Sequence, residues 1–181
     1  DQTAILQLET PILLSSEYAA LTEYFGDRIV ELDCTFPVDG GPTVLRRELE
    51  RLRREAEDAV RGGCENLVLT DRRIGADRAP MPMILATGAV HSHLVRQQLR
   101  SFSSITVRAG ECLDVHYAAV LIGVGATAVN PYLAEASIAD RHARNLFPGF
   151  DLQQCLERGR EAVAPELQKL RHRGGGRSRS P

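Results

Sequence analysis

Short apolar runs alternate along the chain with longer stretches in which apolar residues recur at helical spacing. The short runs predict four strands, at residues 27–32, 66–70, 104–108 and 127–130. The longer stretches predict five helices, at residues 43–61, 82–99, 111–122, 131–145 and 151–170. Pro165 is expected to kink or interrupt the last of these helices, because proline cannot donate a backbone hydrogen bond.

The helix predicted at 43–61 has the most regular pattern. Its apolar residues recur at i, i+4, i+7, i+11 and i+14, which places Leu45, Leu49, Leu52, Ala56 and Ala59 in one stripe. Thr43 is placed to begin the helix. Gly62 and Gly63 are placed to end it, because glycine readily adopts the left-handed conformation that follows many helices.

Strands and helices in regular succession predict an α/β fold with a mainly parallel sheet of successive βα units and right-handed crossovers. Four such units correspond to half of a (βα)8 barrel, or to a complete small doubly wound sheet. The pattern alone does not distinguish these two architectures.

Composition fits one globular domain of 181 residues, with 43% hydrophobic and 25% charged residues. The chain has no long apolar run and no basic segment typical of a signal peptide, so we expect a cytoplasmic protein without a membrane partner. The four cysteines (Cys34, Cys64, Cys112 and Cys155) are widely spaced, which predicts reduced and mostly buried thiols.

Charge is unevenly distributed along the chain. Four of the 22 basic residues lie in the Arg/Gly/Ser-rich tail at 171–181, so residues 1–170 contain 18 basic and 24 acidic residues. An acidic body of this kind repels phosphates, and we therefore expect no nucleic-acid partner. The tail is predicted to be disordered.

Two short patterns could suggest ligand chemistry. The stretch Gly123-Val124-Gly125-Ala126 follows a predicted helix and precedes a strand, whereas a phosphate-binding loop follows a strand and opens a helix, so we interpret it as a helix stop. His91 and His93 are two residues apart on a predicted helix, too far around its axis to share a metal.

Cys112 and His116 are four residues apart on a predicted helix and should face the same way. No further metal ligands are placed beside them, so we interpret them as a core thiol next to a hydrogen-bonding histidine. The sequence therefore assigns no metal-binding, cofactor-binding or catalytic residue.

The remaining candidates lie at predicted strand ends, where α/β proteins place their sites. Asp71, Arg72 and Arg73 follow the second predicted strand, and Asn130 ends the fourth. Asp71, Arg72 and Asn130 form a candidate pocket. In the alternative interpretation, Asp71 organises its loop by accepting backbone amide hydrogen bonds.

Several ordered blocks of sequence carry a family resemblance. They read LETPIL at 8–13, LVLTDR at 67–72, GAVHSHLVRQQLR at 88–100, and AVNPYL at 128–133. Together they resemble the central domain of the glutamate synthase large chain, over residues 8–170. The family's helix has three consecutive histidines, and Ser92 takes the middle place here.

The resemblance implies a role in making glutamate from glutamine and 2-oxoglutarate, the reactions of ammonia assimilation. In the family an amidotransferase domain with an N-terminal cysteine releases ammonia, and a domain with FMN and an iron–sulfur cluster performs the reduction. The central domain joins these two, resembles a reduced barrel, bounds the ammonia route and carries no catalytic residue. A small subunit is a further partner of the whole enzyme.

The sequence therefore predicts a central-type α/β domain at 1–170, with a partial-barrel sheet and no catalysis of its own. Residue 1 is Asp instead of the cysteine nucleophile, and nothing resembles the flavin or cluster region, so we expect a fragment of an oxidoreductase. A truncated gene, a frame-shifted gene or an artificially chosen chain end would each explain it. Two alternatives stay open. One is an independent small α/β enzyme with a site at the strand ends, and the other is a non-catalytic binding module for separately encoded synthase domains.

Overall fold

A computed structural model describes residue 8 and residues 10–41 and 43–162. The helices are α1 (Ser15–Phe25), α2 (Val44–Arg61), α3 (Met83–Arg96), α4 (Val115–Gly123), α5 (Tyr132–Ala143) and α6 (152–162). The strands are β1 (Ile29–Asp33), β2 (Thr35–Pro37), β3 (Asn66–Thr70), β4 (Arg78–Pro80), β5 (Ser104–Arg108) and β6 (Ala128–Asn130).

The central sheet has four parallel strands in the order β1-β3-β5-β6. This arrangement confirms the predicted α/β fold and its mainly parallel sheet. The segment before α1 (residues 10–14, the N-terminal segment) runs beside β6, where Ile12 forms a parallel bridge with Val129. The backbone N–H of Leu13 donates to the Val129 carbonyl over 2.8 Å, and that of Val129 donates to Pro11 over 2.8 Å.

One face of the sheet, the apolar face, is covered by helices. The strand register places Leu32, Leu69, Val107 and Val129 in one row, and Val30, Leu67 and Ile105 in the next. These residues pack against α2, α3 and α4 through Leu52, Val90 and Leu121, all fully buried. Burial of these side chains from water supplies the main driving force for docking the helices.

The opposite face, the polar face, has a different composition because side chains alternate along a strand. Its rows are Glu31, Val68, Thr106 and Ala128, and then Asp33, Thr70, Arg108 and Asn130. Helix α1 covers part of this face with its two buried residues, Tyr18 and Leu21.

Helix α1 was not predicted from the sequence, because so few of its residues are apolar and buried. Glu17 links the first turn of α1 both to the residue before the helix and to α6. The Glu17 carboxylate accepts a hydrogen bond from the backbone N–H of Leu14 over 2.8 Å and forms an ion pair with Arg160 of α6 over 2.5 Å.

Several predicted boundaries differ from the structure. Helix α3 ends at Arg96 instead of residue 99, because Gln98 has a φ of 60°. Helix α4 begins at Val115 instead of residue 111. Glu111 lies outside α4, and its carboxylate accepts the backbone N–H of Met83 at the start of α3 over 2.5 Å.

The antiparallel pair β2–β4 also escaped prediction. Each of its strands has three residues and ends in a proline, Pro37 or Pro80, so neither has a strand-like pattern.

The helix predicted at 151–170 is present as α6 over 152–162, whereas its remainder with Pro165 and the tail at 171–181 lie outside the described residues. Within the described part of the chain, no helix is long and apolar enough to cross a membrane.

Both predicted helix stops are confirmed, and each uses a glycine with positive φ. Gly63 follows α2 with a φ of 95°, and Gly125 follows α4 with a φ of 119°. At Gly125 space is also limited, because a Cβ atom would lie 2.3 Å from the His91 ring. The Gly123–Ala126 stretch leads from α4 into β6, which is the order expected of a helix stop.

We predict that Gly125→Ala lowers the free energy of unfolding by roughly 2–4 kcal/mol, because the new methyl group meets His91 and the backbone is left-handed. Urea unfolding followed by circular dichroism measures the change. Gly123→Ala is the matched control. It lies within α4 with open space around it, and should raise the stability by up to about 1 kcal/mol. Equal effects of the two substitutions would contradict the proposed steric role.

Candidate functional site

The polar side chains at the carboxyl ends of the parallel strands are the strongest candidates for a site. The last row of the polar face ends there, and Asp71 follows β3 directly. Asp71 and Asn130 are buried, with 2% and 0% of their surface exposed. Buried polar groups of this kind require hydrogen-bond partners, and these partners define what the edge can do.

Asp71 joins the β5–α4 loop to α5. One carboxylate oxygen, Oδ2, accepts the backbone N–H of Gly110 over 2.8 Å, and Oδ1 accepts the hydroxyl of Tyr132 over 2.9 Å. Burial raises the pKa of the Asp71 carboxyl, although both hydrogen bonds act against this shift. Burial and the adjacent carboxylate raise the pKa of Tyr132 to about 12.

Asn130 fixes the N-terminal segment to the end of the sheet. Its Nδ2 donates to the Leu13 carbonyl over 3.0 Å and to Glu135 over 2.8 Å, and its Oδ1 accepts from Arg108 Nε over 3.2 Å. The second carboxylate oxygen of Glu135 accepts the backbone N–H of Ser15 over 3.0 Å. Burial raises the pKa of the Glu135 carboxyl.

Two arginines lie against aromatic rings at the same edge. The Arg72 guanidinium lies 5.2 Å from the centre of the Tyr132 ring, and that of Arg108 lies 4.0 Å from the Tyr18 ring. Arg108 is only 8% exposed, and it forms no ion pair with a carboxylate of the described residues. Sequence analysis missed Arg108, although its alternation with Val107 places it in the row of Asn130.

The structure therefore relates the three sequence candidates through α5. Asp71 and Arg72 both contact Tyr132, whereas Asn130 contacts Glu135 one turn further along that helix. Arg73 is exposed. Asp71 accepts a backbone amide, as the alternative interpretation held, but the amide belongs to the β5–α4 loop instead of the loop after β3. The arrangement connects chain segments through hydrogen bonds between its own groups.

The two histidines of α3 have separate partners. His91 Nδ1 accepts from Arg100 Nε over 3.1 Å, whereas His93 Nε2 lies 2.7 Å from Glu57 of α2. Among the described residues, no cluster of three His, Cys, Asp or Glu could hold a metal ion.

The prediction that Cys112 and His116 share a face is wrong. Cys112 precedes α4 and is buried, whereas His116 lies in the helix and is exposed, because α4 begins only at Val115. Burial raises the pKa of the Cys112 thiol to about 12. All four cysteines are free and buried, as predicted.

The fold and this edge define an α/β protein with a parallel four-stranded sheet, whose strand ends are joined by a buried polar network. The glutamate synthase central domain family model matches residues 1–175, and the chain belongs to this family.

Curated relatives agree with this assignment. The NADPH glutamate synthase large chain of Azospirillum brasilense is 52% identical over 96% of this chain. The NADH glutamate synthase of Schizosaccharomyces pombe is 32% identical over 94% of it, and the chloroplastic ferredoxin-dependent enzyme of Spinacia oleracea 39% over 70%. The chain spans 12% of the Azospirillum protein and 8% of each of the other two.

We predict that Asn130→Asp lowers the free energy of unfolding by roughly 3 kcal/mol, because it removes the Nδ2 hydrogen bonds to Leu13 and Glu135 and places a second carboxylate beside Glu135. Urea unfolding measures the loss. Asn145→Asp is the matched control, at an exposed position with a φ of 57° that aspartate tolerates, and should change stability by less than about 0.5 kcal/mol. Similar losses at both positions would contradict the role assigned to Asn130.

We predict that the stability lost on Asp71→Asn depends on pH. Because the folded-state pKa of Asp71 is raised above its usual 3.8, its protonation stabilises the folded state fully below about pH 4, and this contribution disappears as the pH rises through the folded-state pKa. The cost of the substitution should therefore be larger at about pH 4 than at about pH 7. Paired unfolding curves measure it, and a cost that grows with pH would contradict the raised pKa.

Proposed function

We propose that the chain acts as the structural connector of a glutamate synthase large chain, between its amidotransferase and FMN-containing synthase domains and beside the ammonia route. The observation that carries this proposal is the polar network at the strand ends. At the edge where α/β enzymes bind substrates, Asp71 and Asn130 are bonded to other segments of the same domain. Such bonds favour a scaffold over a catalytic site.

A connector must hold its incoming and outgoing segments in a fixed relation. Asn130 and Glu135 hold the segment around Leu13 and Ser15, and the ion pair between Glu17 and Arg160 joins the start of α1 to α6. Both described ends of the domain are thereby tied to the same part of the fold. This linkage would keep an amidotransferase domain on one side in register with a synthase domain on the other.

The partial barrel belongs to the same proposal. Barrel interiors are built from rows of side chains contributed by neighbouring strands, with helices on the outside. Here the polar face has such rows, and α2, α3 and α4 pack on the apolar face. Four βα units with this arrangement correspond to half of an eight-stranded barrel.

Cofactors and partners follow from this role. FMN and the iron–sulfur cluster would be bound by the synthase domain and not by this chain, and glutamine and 2-oxoglutarate would react in the flanking domains. A small subunit would bind the whole enzyme, in the cytoplasm. The net charge of −2 favours neither a nucleic-acid nor a membrane-surface partner.

A second candidate function rests on Arg108. A guanidinium that is 8% exposed, without a carboxylate partner among the described residues, could receive an anion at the strand ends together with Arg72. This would make the chain a small α/β enzyme with Asp71, Arg72 and Asn130 at its site. Such an enzyme would lose a measurable activity on Asp71→Asn, whereas a connector has none to lose.

We predict that the domain controls coupling between ammonia release and glutamate formation. In the large chain that contains it, Asn130→Asp should loosen the segment around Leu13 and severalfold lower the glutamate formed per glutamine hydrolysed, with the glutaminase rate preserved. Parallel assays of ammonia and glutamate measure this ratio. Asn145→Asp should leave it unchanged.

Two outcomes would contradict the connector role. One is an unchanged coupling ratio in an Asn130→Asp enzyme with reduced domain stability. The other is stoichiometric retention of FMN by the purified 181-residue chain after gel filtration. A coding frame that continues into both flanking domains would support the role directly.

A further inference from the structure

A cavity lies beside the polar network, under α5 and α6. Its volume is about 330 Å³, and its floor comes from the N-terminal segment and the start of α4. The lining is mostly apolar and includes Ile12, Leu14, Ala118, Ile138 and Leu156. The cavity is partly open to solvent, and it is large enough to receive a side chain from outside the domain.

Helix α5 is poorly packed. It has 12 residues and none of them is buried, whereas α1, α2, α3 and α4 each bury at least two. A helix gains most of its stability from burying an apolar stripe. The stripe of α5 that includes Ala134 and Ile138 lines the cavity and is only half-buried.

Exposed apolar side chains are frequent in the stretch of sequence that contains α5 and the loops on either side of it. Of the eleven large hydrophobic residues exposed in the described chain, five come from the segment between residues 113 and 152, namely Leu113, Leu133, Leu146, Phe150 and Leu152. One of them, Leu113, lines the cavity itself, and exposed apolar surface at a cavity is typical of a protein–protein contact.

The charged groups around the cavity indicate what it receives. Glu135 is bonded to Ser15 and Asn130, and Arg160 is paired with Glu17. Arg141 lines the cavity and is exposed, with no ion pair to any described carboxylate. The other acidic lining group, Asp114, caps α4 by accepting the backbone N–H of Tyr117 over 2.7 Å. With both acidic lining groups bonded within the domain and Arg141 unpaired, the cavity complements an apolar side chain that has an acidic neighbour.

We propose that this cavity receives an apolar side chain, flanked by an acidic residue that pairs with Arg141, from a part of the glutamate synthase large chain outside these 181 residues. The inference rests on the proposed connector role. The chain spans only 12% of its Azospirillum relative, so most of such a polypeptide lies outside this domain and is available as the occupant. An apolar anchor in a pocket at the centre of a contact is the usual way in which such interfaces gain affinity.

A thiol placed in the cavity tests the proposal. Ser137 lines the cavity and is exposed, and Ser137→Cys changes its size little. Maleimide labelling of this cysteine should be at least about tenfold slower in the full-length large chain than in the 181-residue chain, because a filled interface core excludes solvent. Ser101→Cys is the matched control, exposed at the opposite end of the sheet, and should react equally fast in both.

An empty cavity and each other possible occupant give distinct results, and each of these results overturns the proposal. Equal labelling rates of Ser137→Cys in both proteins mean that the cavity stays open. Slow labelling already in the 181-residue chain means that the chain fills its own cavity. Labelling that slows as the concentration of the 181-residue chain rises, with the mass of a dimer, assigns the surface to a second copy.

The coupling ratio separates this proposal from the connector role. Protection of Ser137→Cys with a coupling ratio insensitive to Asn130→Asp would overturn only the connector role. Unprotected Ser137→Cys in an enzyme whose ratio does fall would overturn only the docking surface. Peptide mass spectrometry assigns the label to residue 137 or to the native thiols, which are buried.

Discussion

The difference between the two faces of the sheet constrains the rest of the structure. The apolar face needs only helices with apolar side chains of complementary shape, and α2, α3 and α4 cover it. The polar face contains Asn66, Thr106, Arg108 and Asn130, whose polar atoms must find partners away from water. Asn66 meets this need only in part, because its Oδ1 accepts the hydroxyls of Ser104 and Thr106 over 3.0 Å each, whereas its Nδ2 has no partner among the described residues. Arg108 and Asn130 find their partners outside the sheet. Arg108 packs against Tyr18 of α1, and Asn130 donates to Leu13 of the N-terminal segment and to Glu135 of α5.

This requirement explains why the strand ends form a junction. Hydrogen bonds from Asn130 reach Leu13 in one direction and Glu135 in the other, and those of Asp71 reach Gly110 and Tyr132. Removal of one member leaves its partners buried and unsatisfied, which costs more than the bond itself contributes. The N-terminal segment is therefore bonded directly to the end of the sheet, an arrangement that suits the proposed connector role.

The features that could be predicted from the sequence are those whose pattern lies within one short stretch of residues. Strands β3 and β5 were predicted with their observed limits, because each is a run of five residues bounded by polar turns. Helix α1 was missed because only Tyr18 and Leu21 are buried, and α4 was begun too early because Glu111 caps a different helix. Asp71 and Asn130 were found as strand-end residues, but their partners were not. Three of those partners, Gly110, Tyr132 and Leu13, lie 39 to 117 residues away along the chain, where no sequence period reaches.

The bridge between the N-terminal segment and β6 has a consequence for synthesis of the protein. Leu13 leaves the ribosome 117 residues before Asn130, to which its carbonyl is bonded. At typical translation rates this interval lasts roughly 6–25 s, far longer than a helix or a hairpin needs to form. Strands β1, β3 and β5 can therefore assemble with their helices first, while the N-terminal segment waits without its partner. Completion of the sheet is set by the arrival of β6, so chains that stop before residue 130 would keep that segment exposed to chaperones and proteases.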